Sequence, residues 1–378
     1  MIMQSNKYVN LVQPHPTSPL KWSIGYKKKP VQVNRNVNLS RLMLCCSFSR
    51  EEYETFLLTA QGQICNEVTI ADGSSRSFCS DKWLRGQDPS NGYGITRVIE
   101  DGNLLEKGAV NVSIVHGQLS EARAKAMSAR GQIEAGCHYF AGALSLVFHP
   151  QNPYVPTFRA DVRYFEIDGG SGWFGGGADL TPCYLDIEDA EYFHHFLKQI
   201  CDKYDPSFYS QCKSKCDAYF YIPVRKQHRG IGGIFFDDLE YFKEQSGAGD
   251  KSLLATDRKE ANIQDNTKIS GREKAFRFIK ELAEGFTSSF LPIANKSRFR
   301  DFGKRQKEWQ LLQRGRYLEF NLLYDRGIKF GLDGGRIESI MVSAPPLVSW
   351  KYDKKPISGS PEAEMLQVLC KPREWIRG

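Results

Sequence analysis

The order of the strand-like segments constrains the fold of this chain more than any other feature of the sequence. Two alternating runs, ITRVIEDG and GAVNVSIVHG, follow one another directly, and two more, ALSLVF and FRADVRYFEI, are separated only by HPQNPYVPT. The prolines of that connection do not continue a helix, so a loop between two strands is predicted there. Because strands neighbour strands and helices intervene singly, we predict an α+β fold with a large antiparallel sheet rather than a doubly wound parallel sheet.

The remaining segments carry helical or alternating patterns. Apolar residues at helical spacing predict helices in 51–70, in 119–134, from Asp186 to about Tyr204, and in 274–293. Alternation predicts further strands in GGIFFDDL, RYLEFNLLYD and RIESIMVSA. Residues 242–272 are polar and charged without sustained periodicity, so this stretch is predicted to be a solvated insertion loop.

Basic charge is concentrated at the N-terminus. The net charge is +7, yet residues 1–50 contain eight Lys or Arg and no Asp or Glu, so residues 51–378 sum to about −1. An acid-free basic leader containing Ser and Asn predicts an organelle transit peptide, for the plastid in preference to the mitochondrion, and a disordered basic tail is the other interpretation. The near-neutral remainder does not indicate nucleic-acid binding, and no apolar run is long enough for a membrane span.

The glycine-rich stretch GSGWFGG at 170–176 contains a G-x-G-x-x-G pattern. A dinucleotide-binding loop needs a helix directly after this pattern, because the helix N-terminus holds the pyrophosphate. The chain instead continues as GADLTPCYLD, and Pro182 with the neighbouring turn formers leaves no room for that helix. We therefore interpret the stretch as a glycine hairpin, or as a loop in which backbone approaches a flat ligand.

Polar residues interrupt apolar strands at four places. They are Ser145 and His149; Arg159, Asp161 and Arg163; Asp179; and Gly334, Gly335 and Arg336. An arginine can fork a planar carboxylate with two hydrogen bonds, an aspartate facing arginines stays ionised and can orient an N–H group, and glycines let a flat ligand approach the backbone. Structural roles are the alternative, because strand arginines often lie at the surface and Asp179 could cap a turn.

These residues lie in long motifs that resemble those of one family. The motifs RYFE, WFGGG-DLTP, RGIGGIFFDDL, RGRYLEFNLLYDRG, KFGL, GGRIESI and a closing EWIR look like oxygen-dependent coproporphyrinogen III oxidase. The resemblance runs from about Glu51 to Gly378, which makes 51–378 one domain after the leader at 1–50. The sequence has no CxxxCxxC, which the radical type of coproporphyrinogen enzyme would require.

The resemblance implies a seven-stranded antiparallel sheet with helices on both faces, in a homodimer. The implied reaction, in haem and chlorophyll biosynthesis, decarboxylates two propionates of coproporphyrinogen III to vinyl groups. O₂ is the oxidant, CO₂ and H₂O₂ are released, and no organic cofactor or redox metal is implied. An electron-rich porphyrinogen pyrrole reacts with oxygen directly, so the protein must hold carboxylates, steer deprotonation and exclude side reactions.

Roles for individual residues also follow from the resemblance. Asp179 falls on the carboxylate that orients the pyrrole nitrogens, Arg163 is expected to clamp a propionate, and Arg159 occupies the position of the family's proton-donating histidine. The substrate-contacting positions are Ser145, Asp161, Val162, Arg163, Gly334, Gly335 and Arg336.

Three positions depart from the family pattern and leave a second interpretation open. Arg159 replaces a histidine, Asp161 replaces an asparagine, and Val224 replaces a histidine sometimes assigned to a metal, so His149 and His194 alone would be two ligands short of a metal site. An arginine keeps its proton at neutral pH, so Arg159 cannot be a general acid or base. It can bind a propionate, and it is expected to pair with Asp161. The alternative is a weak or inactive paralogue that still binds porphyrinogen.

Overall fold

Seven strands form one antiparallel sheet, which confirms the fold class predicted from the order of the strands. The computed structural model describes residues 48–126, 134–168, 172–242, 257–332 and 336–376. From edge to edge the strands are β1 (Cys79–Leu84), β2 (Gly92–Glu100), β3 (Leu105–Gln118), β4 (His138–Pro150), β5 (Thr157–Ile167), β6 (Gly172–Thr181) and β9 (Gly232–Leu239). A separate two-stranded ribbon consists of β7 (Tyr221–Ile222) and β8 (Gln227–His228).

Ten α-helices accompany the sheet in the described residues. They are α1 (Arg50–Asp72), α2 (Glu121–Ala126), α3 (Ile187–Asp202), α4 (Phe208–Tyr219), α5 (Asp257–Glu284), α6 (Phe286–Ser297), α7 (Lys304–Leu323), α8 (Arg326–Leu332), α9 (Ile337–Met341) and α10 (Pro361–Cys370). The helix predicted after Asp186 is confirmed, because the Asp186 carboxylate accepts the Asp189 N–H at 3.1 Å and so caps α3. None of the helices within these ranges is long and apolar enough to cross a bilayer.

Two segments predicted as strands, RYLEFNLLYD and RIESIMVSA, are helical, so those predictions are wrong. Residues 316–323 complete α7, and residues 337–341 form α9. The buried side chains of the first segment are Tyr317, Phe320, Asn321 and Asp325, and this spacing is helical rather than alternating. Helix-favouring residues upstream, in KRQKEWQLLQ, extend the helix cooperatively into the ambiguous stretch.

The predicted insertion loop at 242–272 is also corrected in its second half. Residues 257–272 belong to α5, whereas 243–256 lie outside the described residues. The buried end of α5 carries Phe276, Ile279 and Leu282 into the core. Once that end is fixed, the helix propagates back through polar residues at little cost, which a periodicity argument does not detect. The helix predicted at 119–134 is described only over 121–126.

Alternation along the strands divides the sheet into an apolar face and a polar face. Phe158 and Val162 point into the main core, which α1, α3, α5 and α6 cover. On the other face Val147 packs against Tyr317 of α7 and Val342, just after α9. Helices therefore contact both faces, as predicted, and the polar face is the one that carries Arg159, Asp161 and Arg163.

Candidate active site

The strand register brings most of the predicted site residues together on the polar face. Ser145 of β4 lies opposite Asp161 of β5, and Arg159 of β5 lies opposite Asp179 of β6. Directly opposed residues of a sheet have their Cβ atoms about 5 Å apart, and positions 159, 161 and 163 share one side of their strand. Residues from three strands thus form one charged surface.

The other predicted contacts are placed differently. The side chain of Val162 is fully buried in the core on the opposite face, so a contact from this residue to the polar face is limited to its backbone. Gly334 and Gly335 lie outside the described residues. Arg336 Nη1 donates to Asp81 Oδ2 at 2.6 Å. Asp81 belongs to the same cross-strand row as Ser145, three strands away, so Arg336 borders the polar face near its far edge.

Arg163 is held by two carboxylates. Its Nη1 donates to Asp161, and its Nη2 donates to Asp237 Oδ1 at 3.0 Å, while the guanidinium carbon lies 5.6 Å from the ring centre of Phe235. Burial alone would lower the pKa of the guanidinium, but the charges of Asp161 and Asp237 raise it above the ordinary arginine value. Arg163 therefore carries a fixed positive charge, although 32% of its side chain remains accessible.

The predicted pairing of Arg159 with Asp161 is wrong. Arg159 Nη1 donates instead to Asp325 Oδ2 at 2.5 Å, and Asp161 pairs with Arg163. Asp161 has an arginine two residues away on either side, and the loop after α7 decides between them because it brings Asp325 to Arg159. Sequence reasoning missed Asp325, although it lies within the quoted motif RGRYLEFNLLYDRG.

Asp179 is held by a buried arginine that sequence reasoning also missed. Arg229 Nη2 donates to both carboxylate oxygens of Asp179 at 2.6 Å, and the Arg229 side chain has no exposed surface. Its guanidinium carbon lies 3.9 Å from the ring centre of Phe220 and 5.0 Å from that of Tyr317. This ion pair fixes the orientation of a carboxylate on the polar face, next to Arg159. Arg229 opens the motif RGIGGIFFDDL, which was the available signal.

The described glycines of the G-x-G-x-x-G pattern lie in a strand, as the hairpin interpretation predicts. Gly172 and Gly175 belong to β6 together with Gly176 and Gly177, and the next helix begins only at Ile187; Gly170 lies outside the described residues. A Cβ atom at Gly175 would lie 2.7 Å from Arg163 Nε, and one at Gly177 would lie 2.4 Å from the Ile234 carbonyl oxygen. Glycine at 175 therefore makes room for the Arg163 guanidinium over β6.

The substitution Gly177→Ala is expected to lower the free energy of unfolding by about 1–3 kcal/mol, because the new methyl group would lie 2.4 Å from the Ile234 carbonyl oxygen, a backbone atom of the neighbouring strand that cannot swing aside. The control is Gly62→Ala in α1, where the nearest atom to the added Cβ is 3.9 Å away. That change is expected to stabilise the helix by about 0.5–1 kcal/mol. Urea unfolding measures both variants, and equal effects of the two would contradict the crowding argument.

His149 and His194, the two remnants of the proposed metal site, are structural histidines. His149 Nε2 donates to the Ser343 carbonyl at 3.0 Å, and His194 Nε2 donates to the Ile231 carbonyl at 3.2 Å. The Tyr209 hydroxyl lies 2.8 Å from His194 Nδ1 and donates to it, since that nitrogen carries no proton in the neutral tautomer. Burial, first of all, lowers the pKa of each ring to about 3, so both stay neutral.

No metal-binding group is found in the part of the chain that the structure describes. Within it, no three His, Cys, Asp or Glu side chains are grouped so that they could hold an ion. Val224 lies on a 3₁₀ turn, Pro223–Arg225, and 71% of it is exposed. The Nδ1–H group of the neighbouring His228 donates a hydrogen bond to the Leu369 carbonyl oxygen at 3.0 Å.

A pH dependence of stability follows from the buried histidines. Unfolding returns each ring to an ordinary pKa near 6.5, so the unfolded chain binds more protons between about pH 3 and 6.5. The stabilisation is complete above pH 6.5 and is lost as pH falls, by up to about 1.4 kcal/mol per pH unit for each ring. His149→Gln is expected to remove one ring's share of this slope in urea titrations from pH 4 to 7. Identical slopes for the variant and the parent chain would contradict it.

Comparisons with known proteins point to one family. The family model described as coproporphyrinogen III oxidase matches residues 52–375. The chain is 42% identical to mouse mitochondrial oxygen-dependent coproporphyrinogen-III oxidase over 337 residues, which cover 86% of this chain and 69% of the mouse protein. It is 42% identical to Arabidopsis thaliana chloroplastic coproporphyrinogen-III oxidase 1 over 338 residues (86% and 79%). It is 39% identical to the Glycine max chloroplastic enzyme over 374 residues (95% and 88%). The chain therefore belongs to the coproporphyrinogen III oxidase family.

Proposed function

We propose that this chain catalyses the oxidative decarboxylation of two propionates of coproporphyrinogen III to vinyl groups, which yields protoporphyrinogen IX. The observation that supports it most is the charged surface on the polar face, where Arg163 can fork a carboxylate beside the fixed carboxylate of Asp179. Each propionate loses CO₂ and a hydride equivalent with a proton, and O₂ takes up both electrons to become H₂O₂. The electron-rich pyrrole can react with O₂ directly, so we propose no organic cofactor or redox metal.

The geometry suggests a division of roles. Arg163 binds a propionate, and Asp179, oriented by Arg229, accepts hydrogen bonds from pyrrole N–H groups. Arg159 keeps its proton and is tied to Asp325, so its role is to set the charge and shape of the site rather than to transfer a proton. Ser145, Asp161, the Val162 backbone, Gly334, Gly335 and Arg336 are the remaining proposed contacts.

The inactive-paralogue interpretation is not favoured, because relatives about 40% identical to this chain are named as oxidases. A turnover experiment decides the matter. The chain from residue 48 onward is mixed with coproporphyrinogen III prepared without air, and O₂ is then added. Products are oxidised and separated by chromatography. Enzyme-dependent protoporphyrin supports the proposal, whereas binding without product would favour the inactive paralogue.

Arg163→Ala is expected to raise KM about tenfold to a hundredfold, since hydrogen bonds to charged groups contribute about 1.5–3 kcal/mol. Arg50→Ala is the matched control. Arg50 has the same 32% exposure and also pairs with two carboxylates, Glu166 and Asp168, but it lies on α1, on the other face of the sheet. An unchanged KM in Arg163→Ala, or an equal rise in both variants, would contradict the propionate clamp.

Assembly and location are further parts of the proposal. We propose a homodimer, supported by exposed apolar side chains close in sequence at Leu322, Leu323, Leu332, Leu347 and Trp350. Sedimentation equilibrium of the purified chain tests this, and a monomer at micromolar concentration contradicts it. We also propose import into the plastid, supported by the acid-free leader and the chloroplastic plant relatives. A fluorescent fusion of residues 1–50 tests this, and mitochondrial labelling contradicts it.

A further inference from the structure

Asp237 of the edge strand β9 lies on the polar face by strand alternation, because Phe236 before it points into the core and Phe235 pairs with Gly177 on the polar face. The register between β6 and β9 shifts between Phe174 and Gly176, and residues 237–238 fall at this shift. The Asp237 carboxylate contacts Arg163 on the polar face. The next residue, Asp238, contacts a different partner, Lys215, at 3.0 Å and is 64% exposed. Two adjacent aspartates therefore have separate electrostatic roles.

Asp237 occupies the edge of the Arg163 guanidinium that is best suited to bind a carboxylate through two parallel hydrogen bonds. Asp237 Oδ1 accepts from Arg163 Nε at 3.3 Å and from Nη2 at 3.0 Å. The Nε and Nη2 hydrogens of a guanidinium point in parallel, and this side suits two-bonded recognition of a planar anion. Asp161 takes Nη1 instead and is more buried than Asp237. A propionate that binds Arg163 at the Nε–Nη2 edge must therefore take the place of Asp237.

A second arginine, Arg326, lies close enough to bind the Asp237 carboxylate when it leaves Arg163. Arg326 Nη2 lies 3.7 Å from Asp237 Oδ2, too far for a hydrogen bond but close enough for an ion pair. The Arg326 guanidinium carbon lies 4.9 Å from the ring centre of Tyr219, and the Tyr219 hydroxyl accepts the Arg326 backbone N–H at 3.0 Å. Arg326 is thus held beside Asp237.

We propose that Asp237 is an exchangeable counterion of Arg163: a substrate propionate takes its place at the Nε–Nη2 edge, and Asp237 moves onto Arg326. The inference rests on the proposed function, since it supplies the carboxylate. It assigns Asp237 a role in specificity. A ligand without a carboxylate gains nothing at Arg163, because it leaves the ion pair with Asp237 intact. A ligand with a carboxylate gains the difference between the free energy of its own ion pair with Arg163 and that of the Asp237–Arg163 pair.

Binding of coproporphyrin III, the oxidised and unreactive form that keeps all four carboxylates, tests the exchange by fluorescence titration. Asp237→Asn is expected to lower its Kd about threefold to fivefold, the range for releasing one partly exposed ion pair. Asp238→Asn is the matched control, since it removes the same charge one residue away and should leave Kd unchanged. The tetramethyl ester of coproporphyrin III should bind all three chains equally. Equal Kd values for the Asn variants, or weaker binding by Asp237→Asn, would overturn the proposal.

A double-mutant cycle tests the receiving arginine. Arg326→Gln is expected to weaken coproporphyrin III binding about threefold in the parent chain, because the displaced Asp237 carboxylate then loses the ion pair with Arg326. In the Asp237→Asn background, Arg326→Gln should have little effect on Kd. The difference between the two effects of Arg326→Gln measures the contribution of the Asp237–Arg326 ion pair to binding. Additive effects of the two substitutions would overturn it. Turnover of coproporphyrinogen III is measured in parallel. An inert parent chain that still binds coproporphyrin refutes the proposed reaction alone, and a chain that does neither refutes both.

Discussion

Arg229→Met is expected to lower the free energy of unfolding by about 3–5 kcal/mol and to abolish turnover. The substitution leaves Asp179 buried without the arginine that donates to both of its carboxylate oxygens at 2.6 Å, and removing one member of a buried ion pair has costs of this size. Methionine keeps the apolar stem of the arginine but not the guanidinium that lies over Phe220, so the single variant loses both the charge and the volume of that group. The double variant with Asp179→Asn leaves the same space empty, so the stability that it regains reports the charge. Urea unfolding and the protoporphyrin assay measure the two effects.

Two further variants separate burial from charge pairing in this prediction. Arg225→Met breaks the bidentate pair with Glu319 on the surface, where Arg225 is 44% exposed, and is expected to have an effect of about 1 kcal/mol or less. Combining Arg229→Met with Asp179→Asn removes both charges and should restore part of the lost stability without restoring turnover. Similar decreases in the free energy of unfolding for Arg229→Met and Arg225→Met would show that the buried ion pair stabilises the protein no more than the exposed one.

Arg159→Met is expected to cause a comparable loss at neutral pH and to reverse a pH dependence. The Asp325 side chain is 1% exposed, and burial would raise its pKa, but the charge of Arg159 and the hydrogen bonds from Arg159 and the Ile328 N–H keep the pKa below its ordinary value. In the parent chain this stabilisation is complete above the unfolded pKa near 3.9. It is lost as pH falls through the lower folded value.

The pH dependence of the free energy of unfolding changes direction when Arg159 is removed. Burial then raises the pKa of Asp325, so the folded variant binds a proton that the unfolded chain releases. Its stability is expected to decline as pH rises from about 4, by at most about 1.4 kcal/mol per pH unit, until the raised pKa is passed. The double variant with Asp325→Asn should lose this decline. Parallel unfolding profiles for the parent chain and Arg159→Met between pH 4 and 7 would contradict the prediction.

The central strands could be predicted from local signals, whereas two helical segments in the C-terminal part of the chain were predicted as strands. The alternation in FRADVRYFEI and the prolines before it are local signals, and β5 forms where they indicate. The segment RYLEFNLLYD carries a pattern compatible with both periods, and only its continuity with the helix beginning at Lys304 decides the outcome. The polar start of α5 has no amphipathic signal because its buried residues lie further along.

The charged residues of the site could be identified from the sequence, but their ion-pair partners could not. Arg159, Asp161 and Arg163 were identified because strand alternation places them on one side, and the motifs around them resemble those of a known family. Their partners were not identified. Asp325 lies 166 residues from Arg159, and Arg229 lies 50 residues from Asp179. No local rule connects positions so far apart in the chain.

The sequence by itself determined the antiparallel sheet, the polar side of its central strands and the family, because turn chemistry, alternation and long motifs are properties of neighbouring residues. Only the tertiary structure decided which carboxylate each arginine holds. Asp161 could pair with either Arg159 or Arg163 along the strand, and it pairs with Arg163 because the loop after α7 brings Asp325 to Arg159. The second carboxylate on Arg163 is that of Asp237, which the pairing of β9 with β6 places beside it. Ion pairing depends on distance in space, and the packing of these segments onto the sheet sets that distance.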